Sequence, residues 1–405
     1  YYGEKNKPER CRVVIGKDTR LSGYMLEPAL TAGFVAVGVD VTLVGPMPTP
    51  AVAMLTRSLR ARLGVMISAS HNPYQDNGIK FFGKDGCKLK KEEEDIIESH
   101  LSISSDTILS HPNGVAYAFR LDTASDLYMN HIIRAMPRNF DLSQIKVVVD
   151  CAHGAAYNVA ECILKKFGAN VIALNNQPNG FNINSGCGSL EPNLMIQKVL
   201  ETNADIGFSL DGDADRVVVC DENGHLYDGD HIIAAIAKSW KENNMLLNNV
   251  VVTTFLSSMS LDLYLQNIGI EVVKCGVGDR NVMEAMKSHK SNVGGEQSGH
   301  IVLSDYNTTG DGIMTAAQIL SIMCRKNLKC SEVCNNFTPN PQIFCNIEHS
   351  GHFNFENHFI EQAVRKAESV LSGNHGRIIV RKSGTEQMIR IMAEGRNEDL
   401  LHKVV

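Results

Sequence analysis

One pattern recurs three times along this chain and narrows its fold sharply. Arg12-Val13-Val14-Ile15-Gly16 reads as a buried strand, a helical stretch runs on to Gly38, and residues 39–44 supply a second strand. Lys146-Val147-Val148-Val149-Asp150 opens the same unit, with a helical stretch that stops at Gly168 and the strand Val171-Ile172-Ala173-Leu174 after it. Val250-Val251-Val252 opens it again, with Gly269 as the stop and Glu271-Val272-Val273 beyond. Short β-branched runs alternating with glycine-terminated helices predict parallel βα units. The copies lie much farther apart than the roughly 20–50 residues of solenoid repeats, so each is predicted to be a domain rather than a stacked repeat. A chain of 405 residues is also too long for one ordinary core.

Polar seams divide the chain into expected domains at 1–124, 125–228, 229–340 and 341–405. They fall near residues 121–126, at Asp228-Gly229-Asp230 and at Phe337-Thr338-Pro339-Asn340-Pro341. The last unit breaks the pattern: Gly376-Arg377-Ile378-Ile379-Val380-Arg381 is a strand that delivers a Ser-Gly-Thr turn, which predicts a smaller α+β domain. The first strand starts almost at once and residues 400–405 stop in mid-helix, so both end domains are expected to be incomplete. The fold class is α/β, with mixed sheets of similar topology in the first three domains.

Net charge is −6 and the pI about 6.2, which argues against nucleic acid or an acidic membrane as partner but not against a small anionic substrate. The 11 cysteines are scattered singly, and Cys162, Cys220 and Cys324 sit in apolar runs. They read as reduced core residues of a cytoplasmic protein. The chain shows no signal-peptide pattern and no unbroken apolar stretch of roughly 18 residues.

Four polar motifs interrupt this scaffold. In Ser68-Ala69-Ser70-His71-Asn72-Pro73 a buried strand runs into a turn that leaves Ser70 among polar neighbours. Ser70 is a candidate phosphoryl carrier, against the plainer reading of a strand-to-turn cap; Ser68 is expected to be structural. Lys80, just downstream, is placed to reach the same phosphate or to serve in acid–base chemistry. Asp211, Asp213 and Asp215 alternate after the strand 206–210, and in an extended loop they would point one way and converge on a cation such as Mg²⁺. A solvated Asp/Gly turn is the plainer alternative. An EF-hand loop is excluded by Arg216 where glycine is needed, and an aspartyl-nucleophile phosphatase would leave Ser70 without a role. In Gly295-Glu296-Gln297-Ser298-Gly299-His300, alternation would present Glu296 and Ser298 to sugar hydroxyls, with His300 either an acid–base group or a packed histidine. Finally, Arg381, Ser383, Gly384, Thr385 and Arg390 supply the donors a phosphate dianion needs, unless they form an ordinary surface hairpin.

These four motifs, in this order, resemble the α-D-phosphohexomutases, and the resemblance spans essentially the whole chain. Gln297, Lys382 and the run Asp305-Tyr306-Asn307-Thr308-Thr309-Gly310-Asp311-Gly312 are similar to the branch that acts on glucosamine phosphates. The resemblance implies four domains around a central cleft, a phosphoryl group on Ser70, and Mg²⁺ held by Asp211, Asp213, Asp215 and the phosphoserine. It implies Arg216 and Lys80 near that phosphate, Arg280 facing the cleft, Glu296 and Ser298 on sugar hydroxyls, and Arg381, Ser383, Gly384, Thr385 and Arg390 on the distal phosphate. The implied reaction interconverts glucosamine 6-phosphate and glucosamine 1-phosphate through a bisphosphate, feeding UDP-N-acetylglucosamine and peptidoglycan precursors. A phosphomannomutase or phosphoglucomutase of the same mechanism is the alternative. Expected partners are the phosphosugar, its bisphosphate and a second copy of the chain. Ala214 stands where the family commonly has glycine, a mild change if its φ is negative, and Gln387 stands where proline is usual. The family's glycine-rich opening segment, with an arginine that reaches the site, would precede Tyr1. Because the bisphosphate must turn over without escaping, the segment from about Pro341 is expected to move as a lid.

Overall fold

The computed structural model describes residues 11–102, 115–348, 358–382 and 388–405. Its elements form four sheets, and the three βα repeats each build one of the first three. In the first, the strand Arg12–Lys17 lies between Asp40–Pro46 and Leu63–Ile67, parallel to both, and Ile79–Gly83 joins antiparallel beside Leu63–Ile67. In the second, Lys146–Asp150 lies between Asn170–Leu174 and Ile206–Leu210, with Val217–Asp221 antiparallel beyond. In the third, Val250–Thr254 lies between Glu271–Cys275 and Val293–Gly295, with Ile301–Leu303 antiparallel beyond. These four strands are ordered the same way each time: two parallel strands flank the opening strand, and a hairpin closes one side; the first two sheets each add a fifth edge strand, Ala118–Arg120 and Leu226–Tyr227. The parallel reading of the repeats is right, and the antiparallel hairpin strands make each sheet mixed.

The central strands are buried on both faces, which is why they read as unbroken apolar runs. Helices cover them, each set by local chemistry. Asp228 caps the helix Gly229–Glu242 by accepting from the His231 amide, and Asp311 caps Gly312–Lys326 by accepting from the Met314 amide at 2.9 Å. The helix Gly312–Lys326 is buried along almost its whole length. One contiguous core runs from Val14 and Met47 through Tyr128, Phe208 and Trp240 to Ile319, so these three sheets share an interior. A buried hydrogen bond from the Tyr128 hydroxyl to Asp311 Oδ1 (2.8 Å) ties the helix Ala124–Ala135 into it.

The last sheet is different. Met388–Glu394 lies between Gln342–Glu348 and Arg377–Lys382, all antiparallel, covered by the helices His358–Ser372 and Glu398–Val404. It has a small core of its own around Leu371, Ala393 and Leu401. Among the described residues all 11 cysteines are free thiols, and no helix is long and apolar enough to cross a membrane.

Phe208 sits 1% exposed in the strand that leads to the aspartate motif. Phe208→Ala is expected to cost about 3–5 kcal/mol through lost burial and a residual cavity. Denaturant unfolding measures it, and a cost below about 1 kcal/mol would mean that the core is not shared as described.

Candidate active site

The three motifs of the first three sheets occupy one topological position. The Ser70 loop joins Leu63–Ile67 to Ile79–Gly83, the aspartate loop joins Ile206–Leu210 to Val217–Asp221, and the Glu296 loop joins Val293–Gly295 to Ile301–Leu303. Each is the turn between the last parallel strand and its antiparallel partner. Packing the three sheets around a shared core therefore brings three equivalent loops together.

The aspartates converge, but not by extended alternation as expected. Residues 211–216 form a turn in which the Ala214 amide donates to Asp211 O at 3.0 Å and Ala214 itself takes φ +56°. The Ala214 substitution is therefore not the mild negative-φ case, since a Cβ in the left-handed region is strained. The turn gathers one oxygen from each of Asp211, Asp213 and Asp215 within 4.8 Å of one another, all three residues buried. Ser70 Oγ donates to Asp211 Oδ2 at 2.6 Å, and the Arg216 amide donates to Asp211 Oδ1 at 3.1 Å. Lys80, in the strand Ile79–Gly83 rather than in a turn, bridges Asp213 Oδ2 (2.5 Å) and Asp215 Oδ2 (3.1 Å). The Thr49 hydroxyl also donates to Asp213 Oδ2, and the Thr49 amide to Asp213 O.

Two buried oxygens, Asp213 Oδ1 and Asp215 Oδ1, lack a hydrogen-bond partner. Buried carboxylate oxygens are normally satisfied, so this pair and the donor set suit a hard divalent ion. Burial raises the Asp211 carboxyl well above the usual range, and the neighbouring Asp215 and Asp213 push the same way. Burial would also raise Asp215, but Lys80 and His300 outweigh it and hold that carboxyl well below the usual range. Burial opposes the charge on Lys80, yet Asp213 and Asp215 raise its pKa and keep it an ammonium.

Ser70 sits at φ +51°, 9% exposed. Its strained turn is held from both sides. Ser68 Oγ accepts from the Ser70 amide at 2.9 Å, the structural role expected of it. Arg20, with no exposed surface, donates to the carbonyls of Ser70 (3.1 Å) and Asn72 (2.6 Å), while Asn184 of the second sheet's domain donates to the same two. Gly212 passes directly beneath: a Cβ there would meet Ser70 O at 2.6 Å, so glycine permits the approach of the two loops.

Glu296 and Ser298 do not alternate either. Residues 296–299 make a turn closed by the Gly299 amide on Glu296 O, with Gly299 at φ +89°. Glu296 is largely buried and accepts from the Gly278 amide at 2.9 Å, whereas Ser298 is exposed. His300 is enclosed, 3% exposed, with Nδ1 3.6 Å from Asp215 Oδ1 and Nε2 accepting from the Gly310 amide at 3.1 Å. Burial opposes its charge while Asp215 and Asp279 favour it, raising its pKa. In the neutral ring the accepting Nε2 leaves the proton on Nδ1, facing Asp215. His300 is buried against the triad. Arg216 Nη1 lies 3.0 Å from His71 Nδ1 at the Ser70 loop. Arg280 reaches Glu94 at 2.8 Å, beside a hollow of about 1230 Å³ whose walls include Lys88, Asp279 and Arg280 but none of the triad.

Arg381 and Arg390 face each other across adjacent strands of the last sheet and line a hollow of about 220 Å³ with Leu256 of the third domain. Burial and the Arg390 charge lower the Arg381 pKa, and Glu296 acts in the opposite sense. Ser383, Gly384, Thr385 and Gln387 lie outside the described residues.

Models of all four domains of one family match this chain. Phosphoglucomutase/phosphomannomutase alpha/beta/alpha domains I, II and III match residues 1–106, 126–224 and 228–340, and the C-terminal domain matches 353–405. The chain belongs to the phosphoglucomutase/phosphomannomutase family. It is an enzyme of the isomerase class, an intramolecular phosphotransferase. Phosphoglucosamine mutase of Rhizobium rhizogenes is 51% identical over 98% of this chain and 88% of its own length. Its counterpart from Agrobacterium fabrum is 52% identical over the same shares. A phosphoglucomutase/phosphomannomutase family protein from Burkholderia thailandensis has the same fold, with a TM-score of 0.81 at 22% identity over 97% of this chain and 87% of that one. So does Aspergillus fumigatus N-acetylphosphoglucosamine mutase in complex with GlcNAc-6P and magnesium, with a TM-score of 0.68 at 19% identity, covering 89% and 91%.

The sequence reading of this phosphohexomutase missed Arg20, Asn184, Thr49 and Asp18. Asp18 and Arg20 follow the opening strand within Gly16-Lys17-Asp18-Thr19-Arg20, polar residues in a run that the apolar pattern would bury. Asp18 accepts from the Arg20 amide (2.9 Å) and Nη1 (3.2 Å). Burial raises its carboxyl to about 6, with Arg20 only partly opposing. The folded protein thus keeps a proton that the unfolded chain, with an Asp pKa of about 3.9, has already released, so this group's stabilisation falls as pH rises toward 6. Urea midpoints should show the wild type losing stability relative to Asp18→Asn from about pH 4 to about pH 6, with the difference level above that. A difference independent of pH would contradict this account.

Proposed function

We propose that the chain interconverts glucosamine 6-phosphate and glucosamine 1-phosphate through a phosphoserine at Ser70 and a glucosamine 1,6-bisphosphate. It would act in the cytoplasm and supply precursors of UDP-N-acetylglucosamine and peptidoglycan. The observation that carries the reading is the Ser70 hydroxyl 2.6 Å from Asp211, at the mouth of a buried carboxylate triad with two unsatisfied oxygens. The choice of sugar is supported by relatives about half identical that are named phosphoglucosamine mutase.

Asp211, Asp213 and Asp215 would hold Mg²⁺ with a phosphate oxygen of phosphoserine 70. A bound divalent ion supplies charge that offsets the growing negative charge on the phosphoryl oxygens during transfer. Lys80 and Arg216 add fixed positive charge beside it. The P–O bond to Ser70 Oγ breaks as a bond from phosphorus to the sugar hydroxyl oxygen forms; the proton that this hydroxyl loses is balanced by the one that Ser70 Oγ regains, which then points to Asp211 Oδ2. Glu296, from a buried position, and Ser298 would orient the ring through its hydroxyls. Arg381, Arg390 and the Ser383-Gly384-Thr385 turn would hold the phosphate at the far end. After the bisphosphate turns over, its other phosphate faces the serine and returns there, so one donor site and one clamp serve both ends of the sugar.

Ser70→Ala is expected to lower activity about 10³-fold or more, because no other residue takes its place as carrier. Intact-mass analysis should find one phosphoryl group on the wild type, mapped to the peptide containing Ser70, and none on the variant. Parallel assays with glucosamine, glucose and mannose 6-phosphates test the sugar, and no preference for the amino sugar would overturn that part.

Chelation should abolish activity, and Mg²⁺ should restore it. Independently of turnover, Mg²⁺ at 100 times its Kd should stabilise the protein by about 2.7 kcal/mol in thermal unfolding, and Asp213→Asn should lose most of that shift. An equal shift in the variant would exclude the triad as the site.

A further inference from the structure

The last sheet meets the third domain along a polar row that the mutase reading leaves without a role. Gln342, Glu394 and Arg377 are directly opposite one another across its three strands, so their side chains share one face. All three bond to the third domain. Glu394, with no exposed surface, accepts through Oε1 from Ser258 Oγ (2.8 Å) and the Met259 amide (2.8 Å), at the N-terminus of the helix Met259–Asn267. Its Oε2 accepts from Arg377 Nε (2.9 Å) and Nη2 (2.6 Å), and Arg377 Nη2 also donates to Ser257 O at 2.6 Å. Gln342 Oε1 accepts from Gln297 Nε2 at 3.1 Å, and Gln297 is the neighbour of Glu296 in the turn 296–299.

The covalent link between the two domains enters at the same edge. The Asn340 amide donates to Ser260 Oγ (3.2 Å), and the Gly395 amide to Pro341 O (3.2 Å). From the other side, Asp230 accepts from the Ser258 amide (2.7 Å) and Lys274 donates to Ser257 O (3.2 Å), so residues 257–258 are a firm seat. Arg390 lies four residues before Glu394 on the same strand and face, with Arg381 opposite it. At about 3.3 Å per residue the arginine pair is some 13 Å from the polar row. Met392 and Ile379 fill the row between them.

A fully buried carboxylate with four donors is costly to pull free, because each lost partner leaves charge uncompensated. The two bodies otherwise have separate cores. We propose that the row Gln342–Glu394–Arg377 is the pivot about which the C-terminal domain turns, and that Glu394 is the positioning residue that sets Arg381 and Arg390 over the cleft. The row stays bonded while the arginine end, a lever arm away, opens and closes on the distal phosphate. Because Gln297 bonds to this row, the sugar-binding turn and the phosphate clamp share one fulcrum. This inference rests on the mutase reading for its consequence, retention of the bisphosphate, and on the contacts alone for the pivot.

Glu394→Gln keeps the shape and removes the charge. It is expected to raise KM for glucosamine 6-phosphate about tenfold, the scale of a lost charged hydrogen bond. It should also increase the glucosamine 1,6-bisphosphate released to solution per turnover. Small-angle X-ray scattering of the full chain should show a broader distance distribution than the wild type. Gln342→Ala, at the half-buried end of the row, should move all three readouts the same way by less, and it stands in should the Glu394 variant fail to fold. A fall in kcat alone, with KM, bisphosphate release and scattering at wild-type values, would make Glu394 merely structural and overturn the proposal. If the wild type turns over no hexose phosphate, the mutase reading falls, and unchanged scattering in the variants would still overturn the pivot.

Discussion

Three carboxylates buried in one turn are the constraint around which this molecule is assembled. Each buried charge costs several kcal/mol unless something compensates it, and here the compensation comes from every domain that meets at the turn. Lys80 and Thr49 arrive from the first sheet's domain, Arg216 from the aspartate loop itself, and His300 from the third. The triad therefore works as an electrostatic staple, with a geometry that also suits a metal ion. The two oxygens that protein donors leave unsatisfied, Asp213 Oδ1 and Asp215 Oδ1, mark where the charge is still short. The domain arrangement and the site chemistry are in this sense one problem with one solution.

The three repeats make that solution economical. Each sheet ends its parallel run in a hairpin, and each hairpin turn carries one polar group or set of groups: the Ser70 hydroxyl, the aspartate triad or the Glu296 carboxylate. Duplicated topology puts equivalent turns at equivalent places, so a common core brings all three together. The strain follows the function. Ser70 and Ala214, both in left-handed backbone, sit in two of these turns, and tight packing on both sides keeps them there. The C-terminal sheet has other topology and its own core.

Much of the architecture was legible because periodicity reports burial. Runs such as Val147-Val148-Val149 are apolar at every position because both faces of the strand are covered, and the glycine stops marked the helix ends. The motifs were legible as composition. What misled was the assumption of extended geometry: alternation in Asp211-Asp213-Asp215 and Glu296-Ser298 suggested side chains on one face, whereas both segments are turns. In the first a turn still gathers the carboxylates; in the second it buries Glu296 and exposes Ser298. Lys80 was located but not its partners, since an isolated lysine gives no sign of two aspartates more than 130 residues away.

By itself the sequence determined the repeated βα units and the side-chain chemistry of the four polar motifs, because local pattern and side-chain chemistry are written in order along the chain. Only tertiary structure decided which groups hold a charge, which are strained and which touch. Arg20 and Asn184 clasp the same two carbonyls from different domains, and His300 is buried against Asp215. Those outcomes depend on burial and on distances between residues remote in sequence, quantities that exist only after the sheets have packed.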